Sequence, residues 1–241
     1  MRVGVTLPSF RDDSTALDAA RRAEDLGLDG VFVFDHLWPL RRPDRPALSA
    51  FVLLGAVAAA TTRVCFGPLV ARVGLVPDEV LVAELTSLHH MAPGRLVAGI
   101  GTGDSQSAPE NEAYGIEFAD APSRRASLDR CARAMVAQGV PVWVGAGAEP
   151  TPTVAFEAGA ALNMWEAADD AVAAMAGRGE VTWAGPVVGE VEAVGRRLAS
   201  LAAAGASWAV CAWPESLDTL AAACDALRAA GGADGGGGAR R

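Results

Sequence analysis

Lysine is missing from this chain: all 20 basic residues among the 241 are arginine. That excludes Schiff-base chemistry and any phosphate-binding loop built around a lysine. Positive charge is scarce overall, with 29 acidic residues and a net charge of -9. Nucleic acid is therefore not an expected partner, because phosphate binding needs a basic face. Charged residues are only 20% of the chain against 51% hydrophobic, which excludes disorder for its bulk. The four cysteines, Cys65, Cys131, Cys211 and Cys224, lie in apolar runs and form no C-x-x-C pair. They read as reduced residues packed as small hydrophobes, not as a disulfide frame or a zinc site. The three histidines, His36, His89 and His90, are not spaced as a metal triad, and no H-E-x-x-H or G-x-S-x-G motif occurs. No metal is expected, and a nucleophilic hydrolase is disfavoured. The N-terminus runs straight into an apolar strand pattern without the basic and apolar regions of a signal peptide. The uncharged run Ala47–Thr62 is short for a membrane span and contains Ser49 and Gly55. The expectation is a soluble, cytoplasmic protein that acts on a small molecule, with no membrane partner.

What is present is alternation. Strand patterns at Val3–Pro8, Val31–Phe34, Val64–Val70 and Leu96–Ile100 alternate with helical spacing from Ser14 through Leu26 and over Ala47–Ala60, Asp78–His90 and Ser123–Val136. The second half repeats the rhythm, diluted by alanine. Strands are predicted at Val142–Val144, Ala161–Trp165, Val181–Ala184 and Trp208–Ala212. Helices are predicted at Thr153–Ala158, Asp169–Ala176, Val191–Ala204 and Leu217–Ala230. Eight strand–helix pairs in a chain near the usual length of about 250 residues predict an α/β protein, a (β/α)8 TIM barrel. The alternative is a doubly wound open sheet, since strand count does not prove closure. One domain is expected over residues 1–230, with a disordered glycine-rich tail over 231–241.

In such a barrel chemistry sits at the C-terminal strand ends. The second strand runs into Asp35-His36-Leu37-Trp38, an acid and an imidazole after an apolar strand. The competing reading is a helix cap and a surface histidine. The third strand contains Gly67-Pro68-Leu69-Val70, a bulge or a backbone opened for a ligand. The fourth ends in Gly99-Ile100-Gly101-Thr102-Gly103-Asp104-Ser105. Its alternate glycines allow close approach to a flat or anionic ligand, and Asp104 is placed to trade protons. The spacing is not that of the dinucleotide fingerprint. The fifth ends in Gly145-Ala146-Gly147-Ala148 before a helix start, bare amides that suit a phosphate. Trp38 and Trp213 are candidate substrate contacts, and Asn163 and Trp165 also follow strands, although core packing competes for the tryptophans. His89 and His90 close a helix, where a cation suits the dipole.

These motifs resemble the luciferase-like monooxygenase superfamily, in particular its deazaflavin-dependent oxidoreductases. The resemblance runs from Arg2 to about Trp213. It is carried by Gly30–Leu37, by Thr62–Val70, by the turn Gly145–Ala148, and most strongly by Leu85–Asp104 with its Leu88-His89-His90-Met91-Ala92-Pro93-Gly94-Arg95-Leu96 passage. It implies a luciferase-like TIM barrel holding coenzyme F420, or alternatively FMN, at its mouth. Asp35 and His36 would lie at the ring, and a cis peptide at Leu69-Val70 would support its back face. Thr102 and Gly103 would line the cofactor, Asp104 would donate a proton where relatives often carry Glu, and Gly145–Ala148 would hold the phosphate. The implied activity is hydride transfer between F420 and an organic substrate. An FMN-dependent monooxygenase is the runner-up, and a barrel that has lost catalysis is the other alternative. The long segment that relatives carry before the fifth strand is reduced here to little more than Gln138-Gly139. The resulting site would be open, or completed by a second copy of the chain as a homodimer.

Overall fold

The computed structural model describes residues 1–10, 14–39, 42–147, 150–214 and 216–234. Strands and helices alternate in the order β1 (Arg2–Thr6), α1 (Thr15–Asp25), β2 (Gly30–Val33), α2 (Ala50–Ala60), β3 (Cys65–Pro68), β4 (Ala71–Arg72), α3 (Asp78–Met91), β5 (Ala98–Gly101) and α4 (Ala108–Ala113). They continue with α5 (Ala121–Val136), β6 (Val142–Gly145), α6 (Thr151–Glu157), β7 (Ala161–Trp165), α7 (Asp169–Ala176), β8 (Val181–Pro186), α8 (Val191–Ala203), β9 (Trp208–Ala212) and α9 (Leu217–Asp234). All strand pairs are parallel, in the order β3-β2-β1-β9-β8-β7-β6-β5-β4.

The two ends of this sheet belong to one interrupted strand. The expected single strand Val64–Val70 is split: β3 pairs with β2, β4 pairs with β5, and the cis peptide Leu69–Val70 lies between them. The sheet nearly closes through a bridge between Phe66 and Leu96, with the Phe66 amide donating to the Arg95 carbonyl and the Val97 amide to the Phe66 carbonyl. The protein is thus a nearly closed TIM-type barrel, and the open doubly wound sheet is set aside. Residues 137–141 alone connect α5 to β6. Helix α4 was not foreseen, because Ala108-Pro109-Glu110-Asn111-Glu112-Ala113 carries no apolar period. Helix α9 continues through Gly231–Asp234, past the boundary expected at Gly231; residues 235–241 of the expected tail lie outside the described residues.

Two apolar layers hold the barrel. Between strands and helices lies a large cluster including Val31, Phe66, Leu85, Leu128, Leu162 and Leu198. Inside the barrel Phe32, Trp143 and Trp208 pack together, with ring centroids 5.0 Å apart for Phe32–Trp143 and 5.4 Å for Trp143–Trp208. Each large side chain so buried contributes about 1.5–3 kcal/mol. Strand β2 is buried at every position, which is why it reads as an unbroken apolar run. Cys131, Cys211 and Cys224 are buried free thiols, and burial pushes Cys131 and Cys211 up to about 12. Among the described residues, no helix is long and apolar enough to cross a membrane.

Candidate active site

A cavity of about 460 Å³ opens at the C-terminal strand ends. Its wall is largely apolar: Phe10, Phe34, Leu69, Val70 and Trp165, with Phe10 and Phe34 stacked at 5.9 Å. Clefts of about 510 and 480 Å³ run along α3, but they lie on the outer helical layer and do not reach the strand ends. The mouth cavity is where the chemistry-bearing residues converge.

The structure brings together most of the residues expected there. Asp35, His36, Leu69, Val70, Thr102, Gly103, Asp104, Gly145, Ala146 and Gly147 all line this cavity. Ala148 lies outside the described residues. Trp38 and Trp213 do not line it: Trp38 stacks on Tyr114 at 5.8 Å, and the Trp213 amide donates to Thr6 Oγ1 at the rim. Trp165 is the tryptophan in the wall, whereas Asn163 is buried in the barrel and bonded to Thr182.

Some of the glycines also have a packing role. A Cβ on Gly99 would overlap the Pro68 carbonyl oxygen, and one on Gly67 would overlap that of Val97. On Gly101 it would meet a Val70 methyl at 2.5 Å. These glycines therefore make room for the interrupted strand, which in turn presents Leu69 and Val70 as a shelf. The turn after β6 also offers fewer free donors than its composition suggested. The Ala146 amide donates to the Asn163 carbonyl at 2.7 Å, and Pro152 in the first turn of α6 has no N–H.

The residues that sequence reasoning missed are Glu110 and the functional role of Arg72. Glu110, on α4, is fully buried. Its Oε1 lies 2.8 Å from His36 Nδ1, while Oε2 accepts the Leu37 amide at 2.9 Å and an Arg72 guanidinium N–H at 3.0 Å. Arg72, from β4, also donates to the Ser107 carbonyl at 3.2 Å, and its backbone amide donates to Asp35 Oδ2 at 3.0 Å. Burial would raise the Glu110 carboxyl, but the bonds from His36 and Leu37 and the charges of His36 and Arg72 outweigh it and hold the group below its ordinary value. Asp35 goes the other way: desolvation raises it against the Arg72 amide and guanidinium. Asp104 is exposed, and its Oδ1 accepts the Gln106 amide of its own loop at 2.8 Å. A histidine backed by a buried carboxylate, at the edge of an apolar cavity, is equipped to move a proton.

Comparison with known proteins matches residues 1–129 to the family described as luciferase-like monooxygenase. An F420-dependent glucose-6-phosphate dehydrogenase of Kineococcus radiotolerans is 39% identical over 117 residues, 48% of this chain and 34% of that enzyme. The chain thus spans about a third of the length of the curated relatives it matches. Among solved structures, an F420-dependent secondary alcohol dehydrogenase in complex with an F420-acetone adduct superposes with a TM-score of 0.77 at 16% identity, covering 94% of this chain and 99% of that one. The oxygenating constituent of 3,6-diketocamphane monooxygenase from Pseudomonas putida, in complex with FMN, does so with a TM-score of 0.68 at 12% identity, covering 92% and 96%. At these identities the superpositions show the shared fold.

Proposed function

From the premise that this chain belongs to the luciferase-like monooxygenase family, we propose that it is an oxidoreductase that uses coenzyme F420 to interconvert an organic alcohol and its carbonyl form. The observation that carries this reading is the His36–Glu110 pair at the edge of the cavity whose floor is Leu69 and Val70. The names of the relatives in F420-dependent dehydrogenation support the choice of cofactor.

The residues present fit such a group. The volume lies within the range of about 300–1,000 Å³ usual for ligand sites, and the Leu69–Val70 shelf with Phe10, Phe34 and Trp165 suits a flat ring. Leu69 and Val70 would support that ring, Thr102 and Gly103 would lie along it, and Gly145 to Gly147 would face the phosphate arm. When bound, the deazaflavin supplies two-electron hydride chemistry. The chain supplies the rest. The apolar wall excludes water, and Asp35 and Arg72 hold the strand ends together through the hydrogen bond that the Arg72 backbone amide donates to the Asp35 carboxylate. His36 takes the hydroxyl proton of the alcohol, or returns it in the reverse direction, at Nε2. Asp104 stands at the outer rim, placed to exchange protons with solvent.

Fluorescence-quenching titration with coenzyme F420 and with FMN tests the reading. Tighter binding of F420, with turnover of alcohols and no oxygen uptake, is expected. Tighter binding of FMN with oxygen consumption would replace it with the monooxygenase reading.

A further inference from the structure

We propose that Glu110 is a positioning residue that holds the His36 imidazole in the tautomer with its proton on Nδ1, leaving the Nε2 lone pair for the cavity. The geometry settles which partner donates. Three groups converge on the Glu110 carboxylate: His36 Nδ1, the Leu37 amide and an Arg72 guanidinium N–H. The last two can only donate, and both act on Oε2. A buried carboxylate meeting fixed donors is ionised, so the hydrogen shared with Oε1 resides on Nδ1. Among the described residues Nε2 has no protein hydrogen-bond partner, and the ring lines the cavity with 21% of its side chain exposed.

The groups facing the imidazole are Glu110 from α4, Asp35 beside it at the end of β2, and Arg72 from β4. Arg72 is 4% exposed and already balances the Glu110 charge. Glu110 therefore dictates which nitrogen of the neutral ring carries its proton. The Leu37 bond adds a second constraint: it ties the backbone directly after His36 to the same carboxylate, so ring position and tautomer are set by one group.

The inference rests on the proposed proton role of His36, but its test does not need the cofactor. The chain has three histidines, so ¹⁵N-histidine labelling gives a short spectrum in which the His36→Gln variant identifies the His36 signals. In the wild-type protein without cofactor, at a pH where the ring is neutral, the proton is expected on Nδ1, with a pyridine-like shift at Nε2. A neutral ring protonated on Nε2 would overturn the proposal. Glu110→Gln gives a second reading. The amide oxygen must turn toward the two obligate donors, Leu37 and Arg72, which leaves an NH₂ facing His36 Nδ1 and forces the opposite tautomer. The spectrum should invert, and with cofactor present kcat should fall about 10²–10⁴-fold while cofactor affinity changes little. A Glu110→Gln protein that keeps the Nδ1–H tautomer and wild-type turnover would refute the role. Failure of F420 to bind would sink the functional reading while leaving the tautomer result standing.

Discussion

Asp35 and Glu110 meet the same arginine and respond to it in opposite directions. The Asp35 carboxyl is raised, chiefly by desolvation, despite accepting the Arg72 amide. A raised carboxyl contributes stability below its unfolded value and loses it as pH rises through the folded one. Asp35→Asn, whose side-chain oxygen can still accept the Arg72 amide, should therefore gain in Tm relative to wild type between about pH 4 and pH 7. Glu110 is depressed, so its contribution is full above the ordinary Glu range and is lost as pH falls through the folded value. The Tm deficit of Glu110→Gln should accordingly shrink on acidification. Circular-dichroism melts of both variants across that range check the two signs, and parallel curves would refute this account of the network. Catalysis separates His36 from Asp104. His36→Gln should lower turnover about 10²–10⁴-fold. Asp104→Asn, at an exposed carboxyl occupied by its own loop, should lower it less. Steady-state rates at saturating cofactor give the order, and the reverse order would return the proton to Asp104.

Among the elements, α1 and the loop into β3 are joined by one side chain. Glu24 accepts the backbone amides of Thr62, Arg63 and Val64 at 2.6–3.0 Å. Burial raises its carboxyl, but those three amides outweigh it and the group lies below its usual value. Glu24→Ala strands three donors at the start of the interrupted strand and should cost about 1–3 kcal/mol, read as a lower urea midpoint with unchanged slope. The loss should be full near neutral pH and diminish as acid protonates the wild-type carboxylate; a midpoint unchanged at neutral pH would show that water replaces the bonds. Most elements were legible because their apolar spacing survives translation into faces: β7, α7 and β9 have the bounds that pattern alone predicts. Helix α4 was not, since its two buried residues, Glu110 and Asn111, are polar: the Glu110 carboxylate is compensated by His36, Leu37 and Arg72, far away in sequence, while the Asn111 amide donates to the nearby Glu117 carbonyl. The break between β3 and β4 was half legible. Gly67-Pro68 marked an irregularity, but the pairing of the two halves with different neighbours is a property of closure.

At the scale of the whole molecule, a ligand that binds only the closed barrel stabilises it by mass action. Coenzyme F420 at about a hundred times its Kd should add about 2.7 kcal/mol, a Tm rise of roughly 5–10 °C for a chain of this size. Differential scanning fluorimetry with F420 and with FMN measures it, and equal shifts with both would remove the preference. The amino-acid sequence by itself determined the parallel α/β alternation, the apolar strands and the placing of Asp35, His36 and Asp104 at strand ends, because these follow from local periodicity and from the polarity of βα units. It also carried the family, through Gly30–Leu37 and Leu85–Asp104. Only the tertiary structure decided what His36 leans on. Glu110 is 74 residues away in sequence and Arg72 is 36, and neither belongs to a motif with a fixed spacing from it. A hydrogen bond needs a distance near 2.8 Å and a direction, and those exist only once the ends of β2 and β4 and the helix α4 have been packed around one mouth.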